Sequence, residues 1–296
     1  MSHLNRSAGI VLVGGRSSRM GSPKPSLEWH GSTLVRRIAG IVARGVGGPV
    51  VLVRSRGQSL PSLPDVFEVL DDLEEGRGPL GGLRTGLEAL AGRGEIAYVS
   101  SADVPFLHPA FVRRVVSGLG DGADACVPFV RGFRQPLSSA YRVSLAPAVR
   151  SLLDSDRLSV SSLLDACHWS ELDETALLAD GDLARFDPGL ESVTNLNDRR
   201  EYQDAVVRPA PAVRVEWPGR GAIPGAWTGS GTVIRAGLPE TVTVRAATLG
   251  AAAAAIGGAL GSHLVATLNG ARVSQDPEEP LAEGDVVSFF GAEKRT

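Results

Sequence analysis

Apolar runs alternate with helically spaced apolar positions along the first two hundred residues. Residues 8–13 read A-G-I-V-L-V with no polar position, which suits a strand covered on both faces. Further runs at 49–53, 67–70, 96–101 and 125–129 predict four more strands, and helical spacing predicts helices near 34–44, 80–91 and 109–119. Ser32 and Thr33 are candidate N-caps for the first of these helices. The alternation predicts βαβ units in an α/β domain with a doubly wound, mostly parallel sheet, Rossmann-like in outline.

The pattern changes after Val207. A Pro-rich stretch leads into residues rich in Gly, Ser and Pro as far as Glu240. Then come a strand at 241–245, an Ala-rich helix near 249–260, two strands joined by the Asn269-Gly270 turn, and a closing strand at 286–290. The order ββαββ predicts a small α+β domain of the β-grasp, ubiquitin-like kind. The expected division is a first domain over 1–207, a linker at 208–211 and the β-grasp domain over 212–296.

A length of 296 residues leaves room for two cores. Net charge −3 and pI near 6.0 carry no nucleic-acid footprint, so the cations are expected to act locally. Cys126 and Cys167 lack metal-ligand or disulfide-framework spacing, which favours a reducing, cytoplasmic setting. The five histidines form no i, i+4 or H-x-H pair, and no nucleophile elbow G-x-S-x-G occurs. The opening residues lack an apolar signal core, and the small-residue run at 249–261 is short and Gly-broken, so no membrane segment is expected.

Only two of the 30 basic Lys and Arg residues are lysines, and Lys24 closes a Gly-rich loop behind the first strand. Gly14, Gly15 and Gly21 let backbone N–H groups approach an anion, while Arg16, Arg19 and Lys24 bring positive charge. The spacing matches neither G-x-x-x-x-G-K-[ST] nor G-x-G-x-x-G, which disfavours a P-loop ATPase and a dinucleotide dehydrogenase. Ligands of doubly wound sheets bind beyond the carboxyl ends of the strands. There the chain offers Asp71 and Asp72, then Asp103, then Asn195 and Asn197.

This set suits nucleotidyl transfer, in which a phosphate acceptor, already ionised, attacks the α-phosphorus of a nucleoside triphosphate. Asp103 is the candidate Mg²⁺ ligand, because Mg²⁺ is often held by one or two carboxylates together with phosphate oxygens and water. Lys24 and Arg19 are the candidate phosphate clamp. A cap on the following helix is the competing role for Asp103, and a cap or turn role for Asp72.

The segments L-V-G-G-R-S-S-R-M-G-S-P-K, D-D-L-E-E-G-R-G-P-L-G-G-L, S-A-D-V-P-F-L, R-Q-P-L-S-S-A-Y and V-T-N-L-N together resemble the molybdenum cofactor guanylyltransferase (MobA) family over about residues 7–207. The resemblance implies transfer of GMP from Mg²⁺-GTP to the terminal phosphate of molybdopterin or Mo-molybdopterin. It implies that Leu12, Val13, Gly14 and Gly15 line the nucleotide site, that Lys24 contacts phosphates and Asp72 the nucleotide, and that Asp103 binds nucleotide and Mg²⁺. Asn197 is a second metal ligand by analogy with related sugar nucleotidyltransferases, and a strand at Gln135, Pro136 and Leu137 faces the pterin.

Val13 replaces the usual Ala, and Arg54 stands where some members carry Asn, so no contact is assigned to Arg54. The Gly-Gly loops favour guanine over cytosine. The C-terminal part resembles the MoaD/ThiS sulfur carriers in V-A-T-L-N-G-A-R-V and P-L-A-E-G-D-V-V-S-F-F, but it ends in G-A-E-K-R-T rather than Gly-Gly. That departure favours docking to molybdopterin-synthesis or molybdoenzyme-maturation proteins over sulfur transfer. The alternatives are a cytidylyl or sugar-phosphate nucleotidyltransferase of the same fold, and a non-catalytic carrier or scaffold acting through the β-grasp domain.

Overall fold

The structure is a computed structural model that describes residues 7–14, 24–72, 74, 76–217, 233–234, 240–258, 260 and 264–291. The chain runs through β1 (Ser7–Leu12), a hairpin of β2 (Glu28–Trp29) and β3 (Ser32–Thr33), α1 (Leu34–Val46), β4 (Val50–Arg54), β5 (Glu68–Asp71) and α2 (Gly78–Ala89). It continues through β6 (Ile96–Ser101), α3 (Pro109–Gly118), β7 (Ala125–Val130), β8 (Phe133–Arg134), β9 (Ser138–Arg142), α4 (Ala146–Asp154) and α5 (Val160–Leu164). Then come β10 (Trp169–Leu172), α6 (Glu174–Leu178), α7 (Gly181–Phe186) and α8 (Arg199–Val206). The last stretch holds β11 (Ala212–Trp217), β12 (Val233–Ile234), β13 (Glu240–Arg245), α9 (Leu249–Ala255), β14 (Leu264–Leu268), β15 (Arg272–Ser274) and β16 (Val286–Gly291). Two compact units result: residues up to Leu27 with Leu34–Tyr202, and Glu28–Thr33 with the chain from Gln203 onward.

In the first unit the sheet order is β10-β7-β9-β6-β1-β4-β5, with β8 paired to β7. Neighbours β6, β1, β4 and β5 are parallel, as are β10 and β7, whereas β9 runs antiparallel to both β6 and β7. This is the mixed α/β architecture with a parallel-rich sheet that the apolar alternation predicts. Side chains of a strand point alternately to its two faces. Ala8, Ile10 and Leu12 accordingly join one buried cluster with Leu80, Leu83 and Leu87 of α2. The glycine at 86 makes that contact possible, since a Cβ there would lie 2.7 Å from Ile10 Cδ1. On the other face α1 packs against β1 and α3.

Two local expectations fail. Gln135, Pro136 and Leu137 are not a strand: they form the turn before β9, in which the Ser138 N–H donates to the Gln135 carbonyl at 2.9 Å. Pro136 cannot donate to a ladder, which favours a turn there. Ser32 and Thr33 do not cap α1 through their side chains. They form β3, the Ser32 hydroxyl lies 3.1 Å from Glu278 Oε2, and the buried Thr33 hydroxyl has no hydrogen-bond partner.

In the second unit the sheet order is β12-β13-β11-β16-β14-β15. The central pair β11 and β16 is parallel and every other pairing is antiparallel. Leu249, Ala252, Ala253 and Ile256 pack against Val213, Val215, Val244, Leu264 and Phe289 to form this unit's core. The helix is shorter than the Ala-rich pattern predicts. It ends at Ala255, and Gly257 follows with φ 78°, a left-handed conformation that glycine adopts without strain. Asn269 and Gly270 both have positive φ, as a type I′ hairpin turn requires.

Candidate active site

Parallel neighbours bring the C-terminal ends of β1, β4, β5 and β6 to one rim of the first unit's sheet, and the segments leaving them enclose a pocket of about 570 Å³. Leu12, Val53 and Leu137 give it apolar wall. Gly14, Arg54, Ser55, Asp72, Ser101 and Asp103 supply its polar edge, and Gly78, Pro79 and Gly82 bring the first turn of α2 to it. The positive end of the α2 dipole therefore lies at the pocket, which favours an anion there.

Asp103 sits in the turn after β6, held from three sides. Its carbonyl accepts from the Leu196 N–H at 2.8 Å, Oδ1 accepts from the Ser101 hydroxyl at 2.6 Å, and Oδ2 accepts from Lys24 Nζ at 2.9 Å. Lys24 and Asp103 side chains are 21% and 19% exposed, so the pair is shielded from water but open to a ligand. Capping of the following helix falls to His108, whose ring accepts from the Ala110 N–H, and not to Asp103.

The two carboxylates at the end of β5 divide. Asp71 pairs with Arg54 Nε at 2.7 Å, while Asp72 lines the pocket. Asp72 Oδ1 accepts from the Glu74 N–H at 3.3 Å, so a turn role coexists with its place in the pocket.

Leu12 and Gly14 line the pocket. Val13 is buried, its N–H donating to the Val53 carbonyl at 2.9 Å, and it shapes the loop's root from behind. Gly15 and Arg19 lie outside the described residues. Asn195 and Asn197 are exposed ahead of α8, and the Asn197 N–H donates to Glu201 Oε2 at 2.6 Å in a helix-start contact. The backbone of this segment reaches Asp103 through the Leu196 N–H.

The sequence reading assigned no contact to Arg54 and no role to Ser101, and it missed Ser55 at the pocket and Gln58 beside it. The Gln58 side chain accepts from the Ser55 N–H and donates to the Val13 carbonyl, each at 3.1 Å, which ties the exits of β1 and β4 together. No motif marks Gln58, because its partner Val13 lies at the end of a neighbouring strand. A second network fixes the loop before α2: Glu74 pairs with Arg77 at 2.9 Å and Arg84 at 2.7 Å, and Arg77 reaches the Leu153 carbonyl at 2.7 Å. The hydrogen bond from Arg77, the largest influence, holds the Glu74 carboxyl below its usual range.

Among the described residues no three His, Cys, Asp or Glu side chains gather as a metal cage. The donor chemistry at Asp103 nonetheless fits Mg²⁺. Each carboxylate oxygen accepts one side-chain hydrogen bond and keeps lone-pair capacity, and Mg²⁺ characteristically takes one or two carboxylates with substrate phosphates. Among the described residues no helix is long and apolar enough to cross a membrane.

Residues 9–175 match the MobA-like NTP transferase domain family. A Bacillus cytotoxicus protein named probable molybdenum cofactor guanylyltransferase is 32% identical over 167 residues, covering 54% of this chain and 81% of the relative. A protein of the same name from Peptoclostridium acidaminophilum is 28% identical over 216 residues, covering 70% of this chain and 93% of its own length. The crystal structure of molybdopterin-guanine dinucleotide biosynthesis protein A from Archaeoglobus fulgidus shares the fold, with a TM-score of 0.52 and 22% identity over 67% of this chain and 96% of that one. The chain therefore belongs to the MobA-like NTP transferase family, and is a nucleotidyltransferase of molybdenum cofactor biosynthesis.

Proposed function

We propose that the chain transfers GMP from GTP to the terminal phosphate of molybdopterin or Mo-molybdopterin. An acceptor phosphate oxygen forms a bond to the α-phosphorus as the bond to the β-phosphate bridging oxygen breaks, and that electron pair leaves with pyrophosphate. The observation that carries this reading is the Lys24–Asp103 contact at the edge of a pocket that also holds Asp72.

The roles follow from charge and place. Lys24, with Arg19 of the same loop, neutralises the phosphates, and Leu12, Val13, Gly14 and Gly15 form the loop against which the nucleotide lies. Asp72 accepts from nucleotide N–H or O–H groups. Guanine suits such an acceptor because its N1–H and N2–H₂ donors are adjacent, whereas cytosine offers N4–H₂ alone. Asp103, with Asn197 as second ligand, would hold Mg²⁺, which when bound supplies charge neutralisation of the triphosphate.

The strand order of the second unit, with parallel central strands and one helix over the sheet, supports a β-grasp domain over 212–296 that follows a nucleotidyltransferase domain over 1–207 and a linker at 208–211. Its proposed role is docking to a protein of molybdopterin synthesis or molybdoenzyme maturation.

Purified protein incubated with Mg²⁺, molybdopterin and each nucleoside triphosphate tests the reaction. Dinucleotide and pyrophosphate from GTP alone are expected. Turnover of CTP with inert GTP would replace guanylyl by cytidylyl transfer, and inert triphosphates throughout would leave a scaffold.

A further inference from the structure

We propose that Ser101 is a positioning residue that holds the Asp103 carboxylate in its working orientation while Lys24 engages phosphate; the inference rests on the nucleotidyl-transfer reading of this site. The two serines that end β6 have different tasks. Ser100 is fully buried, pairs with Ser138 across the sheet, and donates its hydroxyl to the Ser101 carbonyl at 3.0 Å. Ser101 is partly exposed, lines the pocket, and donates to Asp103 Oδ1 at 2.6 Å. Alternation along the strand makes this difference, turning the two hydroxyls to opposite faces of the sheet, of which Ser101's borders the pocket.

A separation of 2.6 Å is that of a hydroxyl bonded to an ionised carboxylate, the strong kind of hydrogen bond. Its geometric consequence concerns Oδ2. Lys24 holds that oxygen, and Lys24 is also the cation that the triphosphate attracts. A carboxylate tethered by the ammonium alone would turn with it. Ser101 grips the other oxygen from the end of a strand that pairs with β1 in register, Leu12 against Ser101, and the Ala102 N–H donates to the Leu12 carbonyl at 3.1 Å. The hydroxyl thus belongs to the rigid sheet, so Asp103 keeps its direction when Lys24 shares its three N–H hydrogen bonds between carboxylate and phosphate.

The test uses the full chain with Ser101→Ala, Ser101→Thr and, as control, Asp103→Asn. Rates of pyrophosphate release are read against Mg²⁺ concentration, and Mn²⁺ binding is read by electron paramagnetic resonance with GTP and no acceptor. Loss of a hydrogen-bonding group behind a metal-binding carboxylate characteristically costs about 10–100-fold in affinity or activity. Ser101→Ala is expected to weaken Mn²⁺ binding and lower kcat in that range with KM for GTP unchanged. Ser101→Thr, which keeps the hydroxyl, is expected to restore both.

Wild-type Mn²⁺ binding and kcat in Ser101→Ala, with Asp103→Asn inactive, would overturn the positioning role and leave the reaction standing. Equal impairment of Ser101→Ala and Ser101→Thr with a lowered melting temperature would also overturn it, in favour of strand packing. Full activity in Asp103→Asn would remove the site reading itself.

Discussion

The Lys24 ammonium lies 2.9 Å from the Asp103 carboxylate although 79 positions separate the two in the chain. They meet because β1 and β6 are parallel neighbours whose following segments leave the same end of the sheet. Removing one charge leaves the other partly buried without its partner. Lys24→Ala and Asp103→Asn are each expected to slow nucleotidyl transfer by about 10²–10³-fold, the cost of losing one preorganised electrostatic contact. The double variant is expected to be little worse than the poorer single variant, since groups acting as a unit are not additive. Pyrophosphate release measures this, and multiplying losses would show that the two act separately.

Gln58 braces the pocket without lining it. Besides its two side-chain bonds, its carbonyl accepts from Arg54 Nη1 at 3.0 Å. Gln58→Ala is expected to cost about 1–2 kcal/mol in urea unfolding through the bonds it removes. It is also expected to raise KM for GTP more than it lowers kcat. Gln58→Glu keeps the acceptor for Ser55 but cannot donate to Val13, so it is expected to fall between; a wild-type KM in Gln58→Ala would confine the residue to stability.

Close packing of α2 on β1 leaves no space at position 86. Gly86→Ala sets a methyl against Ile10 and is expected to destabilise by about 1–3 kcal/mol, as overpacked cores do. A Cβ at Gly181, in α7, meets nothing within 4 Å, so Gly181→Ala is expected to be neutral or stabilising by up to about 1 kcal/mol. Thermal unfolding of the two variants decides between local packing and a general intolerance of alanine.

Burial, helped by the Asp124 charge, pushes the Cys167 thiol up to about 11, and burial raises Cys126 as well. A thiol raised on folding supports the native state below its unfolded pKa of about 8.5, and that support is lost as pH climbs toward the folded value. The urea midpoint is therefore expected to fall between about pH 9 and 11. At pH 8, iodoacetamide is expected to label native Cys167 about 100-fold more slowly than the unfolded chain, because little thiolate is present. Rapid native labelling would contradict this environment.

The alternation of apolar runs and helical spacings suffices to read the parallel-rich sheet, and the Gly-rich loop behind residues 8–13 shows where an anion could approach. Asp103 and Lys24 are visible as candidates because each follows a strand. Sequence leaves Asp71 and Asp72 equivalent, and only their settings separate them: one pairs with Arg54, the other faces the pocket. The strand that the resemblance implies at 135–137 is instead a turn that closes through Ser138 and Gln135, where Pro136 has no N–H to give a ladder.

What the sequence by itself determined is the set of strands, their covered faces, and the residue types at their ends, since these depend on periodicity and on backbone freedom at glycine. Strand order decided the rest. Placing β6 and β4 on either side of β1 brings Lys24 to Asp103 and Gln58 to Val13, through contacts that no local spacing encodes. Hydrogen bonds act over about 3 Å in space, whatever the separation along the chain.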